Sequence, residues 1–221
     1  MMWLSEQEKD GVYKAIYNRR DIRHFKSDPV DEETLIRILQ AAHQAPSVGY
    51  MQPWNFIVIK SGDIKQKLKN VVDKEIGALG LHFEGQRADL YKSLKVEGLL
   101  EAPVTVCVTC DPTREGPHVV GRNSIPETDA YSVVCAIQNL WLAAYAEGIS
   151  AGWVSFYKKA DVREILAIPP HIEPIALISL GYPVDYPDRP LLEIVGWGDR
   201  YPFDDMIYAE TWDQSYASTA L

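Results

Sequence analysis

The stretch RRDIRHF, Arg19 to Phe25, places three arginines and an aspartate within five residues of a chain whose formal net charge is -9. A guanidinium is a planar fork that matches phosphate oxygens, so Arg19, Arg20 and Arg23 at a helix end could close on a phosphate monoester. The other reading is that cations in a last helical turn only offset the macrodipole, worth about 0.3–1 kcal/mol, and spacing alone favours it. Asp21 is harder to place. Beside an anionic ligand a carboxylate is costly unless it is salt-bridged to the arginines or serves as an acid or base.

Two further constellations have the residue types of a ligand site. In APSVGYMQPWNF, Ser47 and Gln52 are hydrogen-bonding side chains on a Pro- and Gly-containing loop that leads into a strand, although such a loop can equally be a plain connection. In GISAGWVSF, small residues around Gly152 permit close backbone approach to a flat ligand, and Ser155 follows Trp153 by two, on one strand face. Ser155 lacks the GxSxG setting of a hydrolase nucleophile. GxGxxG and P-loop patterns are absent, which argues against a dinucleotide or triphosphate held by those devices. The five histidines, His24, His43, His82, His118 and His171, show no HxH or HxxxH spacing, so no metal site is expected. Cys107 and Cys110 form a CxxC in VTVCVTCD, either buried strand thiols or half of a redox or zinc site. Residues three apart on a strand point to opposite faces, which favours the first.

The elements that must position these groups alternate between helical and strand periodicity, the mark of a layered α and β domain. Ser5 and Glu8 form a capping box for a helix that carries Val12 and Ile16 and ends on the arginines. A second helix starts at Asp31, buries Leu35, Ile38, Leu39 and Ala42, and stops before Pro46. Strands are expected at NFIVIK, VTVCVTCD, ISAGWVSF and IEPIALISLGYP, with helices at IKQKLKNVVDKEIGAL and from Thr128 to Glu147. Residues 81–101 read as a candidate lid. Residues 185–221, rich in Pro, Asp and aromatic rings, read as an arm that either wraps a partner subunit or packs on its own domain.

A single domain over residues 1–221 is expected from length. With 47% hydrophobic and 24% charged residues the composition is that of a soluble globular protein. The acidic balance opposes nonspecific nucleic-acid binding. No basic-then-apolar leader and no run of about 18 apolar residues is present, so a cytoplasmic protein without a membrane partner is expected.

The three segments, in this order, resemble the nitroreductase-like flavoprotein family. The likeness rests on an RRSxRxF-like stretch after the first helix, a PSxxNxQPW-like loop, a glycine-containing late strand and a basic residue near the C-terminus. It implies an α+β fold: a three-layer sandwich with a mixed, mainly antiparallel central sheet, a domain-swapped homodimer with exchanged arms, and FMN at the dimer interface. Three features depart from the common pattern. Asp21 stands where a serine is usual, Gly49 and Tyr50 replace a polar pair, and RADLYKSLKVEGLLEAP precedes the CxxC strand. In these the chain is similar to members that use dioxygen to fragment reduced FMN into 5,6-dimethylbenzimidazole, the lower ligand of vitamin B12, and D-erythrose 4-phosphate, without a metal. Reduced FMN is then the substrate, and a separate NAD(P)H-dependent flavin reductase supplies it.

Carried over residue by residue, the resemblance makes Arg19, Arg20, Ile22 and Arg23, with Arg189 in DRPLLE, the holders of the FMN phosphate and ribityl chain. It makes Asp21 the proton-transfer residue beside them. Ser47, Gln52 and Lys95 become flavin contacts. Ser155, with the Gly152 and Trp153 backbone, lies at the flavin N5 edge and is the second catalytic residue. Two alternatives stay open: an FMN-dependent NAD(P)H nitroreductase or flavin reductase, and a noncatalytic flavin-binding protein.

Overall fold

The β-branched runs of the sequence pair into one four-stranded sheet. Its strands are β1 (Trp54–Ile59), β2 (Val104–Cys110), β3 (Ser150–Val154) and β4 (Glu173–Gly181), in the order β1-β2-β4-β3. The structure is a computed structural model that describes residues 3–216; the ends of the expected 1–221 domain and of the expected arm lie outside the described residues. All three strand pairings are antiparallel, and one parallel bridge, Asp21 to Ala151, extends the sheet beyond β3.

Alternation along the strands sends side chains to two cores. Val104, Val106, Val108 and Cys110 of β2 meet α2 (Glu32–His43) and α5 (Thr128–Ala146) on one face. Cys107 meets Leu68 and Val72 of α3 (Gly62–Gly80) and Val162 of α6 (Lys159–Leu166) on the other. Helices therefore cover both faces, the three-layer sandwich expected above. The CxxC resolves at the same point: its two thiols lie in different cores, and burial pushes both up to about 12. Neither sulfur can close on the other or share a metal from opposite sides of a sheet.

The expected caps are in place. Ser5 Oγ accepts from the Glu8 N–H at 3.4 Å while the Glu8 carboxylate accepts from the Ser5 N–H at 2.7 Å, opening α1 (Glu6–Asn18). Asp31 caps α2 through the Thr34 N–H at 3.0 Å. α2 buries Leu35, Ile38 and Ala42, whereas α1 buries no residue and leaves Val12, Tyr13, Ile16 and Tyr17 exposed.

The candidate lid divides in two. α4 (Gly85–Ser93) is mostly exposed, with Ala88 and Leu90 half-buried and Tyr91 buried, its hydroxyl donating to the Ile76 carbonyl at 2.9 Å. Glu97 to Leu99 belong to the interior, while Leu100 and Glu101 return to the surface: Leu99 is fully buried, Glu97 is paired with Lys69 at 3.4 Å, and beyond the segment the Lys65 ammonium donates to the Ala102 carbonyl. The chain separates into two compact units after Asp188, so residues 185–188 of the expected arm lie with the first. Within the second unit a short helix, α7 (Leu191–Ile194), and a 3-10 turn, Phe203–Met206, leave Tyr201, Phe203 and Trp212 exposed, and none of its described residues is buried.

Gly152 of β3 lies hard against the turn after α1. A Cβ on Gly152 would stand 2.1 Å from the Ile22 carbonyl oxygen and 2.5 Å from the Arg23 guanidinium. Gly152→Ala should therefore destabilise the fold by about 1–3 kcal/mol, the usual range for overpacking. The midpoint of urea unfolding measures it; an unchanged midpoint would contradict the contact.

Candidate active site

The turn that follows α1 is sewn to β3. The Ile22 N–H donates to the Ala151 carbonyl at 3.0 Å, and the Trp153 N–H donates to Asp21 Oδ1 at 2.9 Å. Arg23 lies between them. Its guanidinium grips both Asp21 oxygens, with Nη1 to Oδ1 at 2.7 Å, and donates to the Trp153 carbonyl at 2.6 Å. Only 10% of the Arg23 side chain is exposed against 42% for Asp21, so the arginine is committed to holding the carboxylate and the strand.

Asp21 stays partly open to solvent, with β3 and the arginine turn packed against its other side. Loss of hydration there raises its pKa above the ordinary carboxylate value, outweighing the opposing pull of Arg23, the Trp153 N–H and Arg19. A carboxyl so placed holds its proton toward higher pH and can donate it to a bound molecule.

Arg19 and Arg20 flank this carboxyl differently. The Arg19 guanidinium carbon lies 5.1 Å from the centre of the Trp141 ring, a cation–π contact with α5. Arg20 donates to the Tyr17 and Arg19 carbonyls at 2.9 Å and to the Asp188 carbonyl. Its own backbone is held by the Trp141 indole, which donates to the Arg20 carbonyl at 3.2 Å, and by the Tyr186 hydroxyl, which accepts the Arg20 N–H at 2.9 Å. The Nε atoms of both arginines are buried without a partner. Two unused cationic donors on one turn fit an added anionic oxygen ligand, so the arrangement suits a phosphate-bearing molecule such as FMN. Ile22, between Asp21 and Arg23, is buried with Phe25 and Ala102.

The Ser47–Gln52 loop is strained and clamped. Gly49, Tyr50 and Gln52 have φ of +56°, +56° and +45°, and a Cβ at Gly49 would meet Val119 at 2.3 Å. Ser47 Oγ accepts the Gln52 N–H at 3.0 Å, and the Ser132 hydroxyl of α5 accepts the Val48 N–H at 3.2 Å.

The structure brings together Arg19, Arg20, Asp21, Ile22, Arg23, Gly152 and Trp153, and leaves other expected site residues elsewhere. Ser155 is exposed just past the end of β3. The loop with Ser47 and Gln52 enters β1, which is one edge of the sheet, while Asp21 borders β3 at the other edge. By register Trp54 and Trp153 are three strand spacings and about four residues apart, roughly 20 Å in the plane of the sheet. Lys95 pairs with Glu101 at 2.5 Å, and Arg189, in the second unit, pairs with Glu193 at 3.5 Å. Sequence reasoning missed Trp141, Tyr186 and Arg114. Only Arg114 left a signal, as one of two arginines in CDPTREGPHVVGR, a Pro- and Gly-containing loop of an acidic chain.

The raised pKa has a thermodynamic consequence. The folded state keeps the Asp21 proton to higher pH than the unfolded chain, so Asp21 lowers stability as pH rises from its ordinary value of 3.8 through the raised one. Asp21→Asn should abolish that decline. Unfolding midpoints of both proteins between about pH 4 and 7 measure it, and parallel profiles would exclude a raised Asp21 pKa.

Among the described residues no cluster of three potential metal ligands occurs, and no helix is long and apolar enough to cross a membrane. The sequence profile of the nitroreductase family matches residues 16–182. The 5,6-dimethylbenzimidazole synthase of Rhodospirillum rubrum is 40% identical over 194 residues, 88% of this chain and 92% of the relative. The enzyme of the same name from Rhodobacter capsulatus is 33% identical over 201 residues, 91% and 97% of the two chains. Among solved structures, a BluB-like flavoprotein from Clostridium difficile 630 superposes with a TM-score of 0.67 at 21% identity, covering 95% of this chain and 100% of the other. An iodotyrosine deiodinase bound to FMN and 3-iodo-L-tyrosine superposes with a TM-score of 0.68 at 23% identity, covering 81% and 94%. With a profile match spanning both the arginine turn and the late strand, and relatives this similar over nearly their whole length, the chain belongs to the nitroreductase family.

Proposed function

We propose that the chain fragments reduced FMN with dioxygen to D-erythrose 4-phosphate and 5,6-dimethylbenzimidazole, the product after which its Rhodospirillum and Rhodobacter relatives are named. The observation that carries the reading is Asp21, a carboxyl with a raised pKa held at the edge of β3 by Arg23 and the Trp153 N–H. A fixed carboxylate beside reduced, anionic flavin is a liability for plain hydride relay. A carboxyl with a raised pKa is a suitable proton donor and acceptor where carbon bonds break and protons must be moved.

FMN, when bound, supplies the ring that reacts with dioxygen. The residues of the chain would hold and orient it. Arg19 and Arg20 would take the phosphate through their unused Nε donors, with Arg189 as a further candidate. Arg23 would keep Asp21 in place, and the exposed Ser155 would face the ring edge next to the Gly152 and Trp153 backbone. Ser47, Gln52 and Lys95 would complete the flavin contacts. Of the candidate lid, the part up to Ser93 has the exposure that a closing flap needs.

Because Asp21 and the Gln52 loop occupy opposite sheet edges, a homodimer in which each site draws on both chains accounts for them best. The exposed apolar stripe of α1 and the exposed Tyr131 and Val134 of α5 are surfaces such a dimer would cover. On this reading reduced FMN would come from a separate NAD(P)H-dependent reductase; the missing dinucleotide motif fits that and an ordinary nitroreductase alike. The family match alone fits an FMN-dependent nitroreductase equally well, and Asp21 is what separates the two.

Chemically reduced FMN is mixed with the protein under anaerobic conditions, air is admitted, and products are separated by liquid chromatography with mass spectrometry. 5,6-Dimethylbenzimidazole should appear above a protein-free control, from a species sedimenting at twice the 24.9 kDa of one chain. Asp21→Asn should keep FMN binding and lose at least about a hundredfold in product formation, the lower range for a general acid or base. Return of intact oxidised FMN alone would sink the reading and send the assay to hydride transfer from NAD(P)H.

A further inference from the structure

We propose that Arg114 is the positioning residue of the Ser47–Gln52 loop: through the Gln52 carbonyl it fixes the backbone conformation from which the Gln52 side chain meets a flavin. The inference rests on the reading of Gln52 as a flavin contact.

Gln52 has φ +45°, a region that residues with a Cβ leave unless held. It is held on both sides. Its N–H donates to Ser47 Oγ at 3.0 Å, and its carbonyl accepts from Arg114 Nη1 at 2.7 Å. The same guanidinium reaches the Trp54 carbonyl at 3.1 Å and Asn55 Oδ1 at 2.7 Å, so one rigid fork ties the loop exit to the first residues of β1. Arg114 is itself anchored. Arg122 donates to the Arg114 carbonyl at 2.8 Å and to the Gly116 carbonyl at 2.7 Å, and it forms a buried ion pair with Asp129 at 3.0 Å in the first turn of α5. Hydrogen bonds thus run from α5 through Asp129, Arg122 and Arg114 to Gln52, and the second anchor of the loop, Ser132, is on the same helix. Three acceptors approached in two directions suit a planar guanidinium and not a single ammonium point. Asp111 lies 3.7 Å from Arg114 and, against the opposing effect of burial, is kept charged by hydrogen bonds from Thr113.

The test uses the full chain with oxidised FMN as probe and compares wild type, R114K, R114M, Q52A and R114M/Q52A. Three quantities are read: the FMN dissociation constant, the visible absorption band of bound flavin, and hydrogen exchange of the Gln52 amide in flavin-free protein. R114K and R114M should each bind FMN about tenfold more weakly, the effect of losing one directed hydrogen-bond partner. Both should displace the flavin band as Q52A does, and the double variant should be no weaker than the weaker single one, because both changes remove the same contact. Gln52 exchange should accelerate in both Arg114 variants. A lowered melting temperature with the flavin band and affinity unchanged would reduce Arg114 to a stabilising loop anchor and overturn the inference, as would additive losses in the double variant. Unchanged FMN binding in Q52A overturns the link through Gln52. Wild-type protein that takes up no FMN overturns the functional reading and this inference together, whereas wild-type uptake with an unaffected R114M overturns this inference alone.

Discussion

The burial of α5 against the sheet is the constraint on which the rest of the site depends. Val133, Ala136, Ile137, Leu140 and Ala144 are fully enclosed, and the helix contributes more to the larger core than any other. Because it cannot rotate without opening that core, the polar groups on its flanks are fixed in direction. Ser132 holds the Val48 N–H, and nine residues on, about 14 Å along the axis, Trp141 holds the Arg20 carbonyl and underlies the Arg19 guanidinium. Both constellations are therefore mounted on one rigid rod.

Each is then given its chemistry by a second anchor. At the arginine turn that anchor is β3, whose Trp153 N–H and carbonyl take Asp21 and Arg23, and whose Gly152 lets the turn approach closely enough for these contacts. Two effects of opposite sign meet on Asp21. Desolvation favours the neutral acid and the guanidinium favours the anion; desolvation is the larger, and the carboxyl emerges less acidic than in water. At the strained loop the anchor is Arg114, and there geometry is at stake instead of charge. Positive φ at a non-glycine residue persists only where surrounding bonds over-determine it, as they do at Gln52.

The sheet order sets the distance between the two. β1 and β3 are the edges, and no rearrangement short of re-pairing strands brings them together. On the proposed reading, a flavin that uses both constellations meets them from two chains. Among the described residues, Val12, Tyr13, Ile16 and Tyr17 of α1 stay exposed.

Local features were legible from the sequence because each is decided by neighbours within a few residues. The capping box of Ser5 and Glu8, the Asp31 cap, the four strands and the loop at Ser47 all depend on short-range periodicity or on one side chain reaching one nearby amide. The opposite fates of Cys107 and Cys110 follow from the two-residue period of a strand. The motif residues also single out Asp21 as a departure from the common family pattern. Its raised pKa, the commitment of Arg23 to it, and the hold of Arg114 on Gln52 were decided only by the tertiary structure. Arg23 meets Trp153 across 130 residues and Arg114 meets Gln52 across 62, and neither spacing has a periodicity that a sequence can display. Burial, ion pairing and desolvation are properties of what surrounds a group in space, so the same Asp21 that is one charge among many in the chain becomes a weaker acid only once β3 and the arginine turn pack against it.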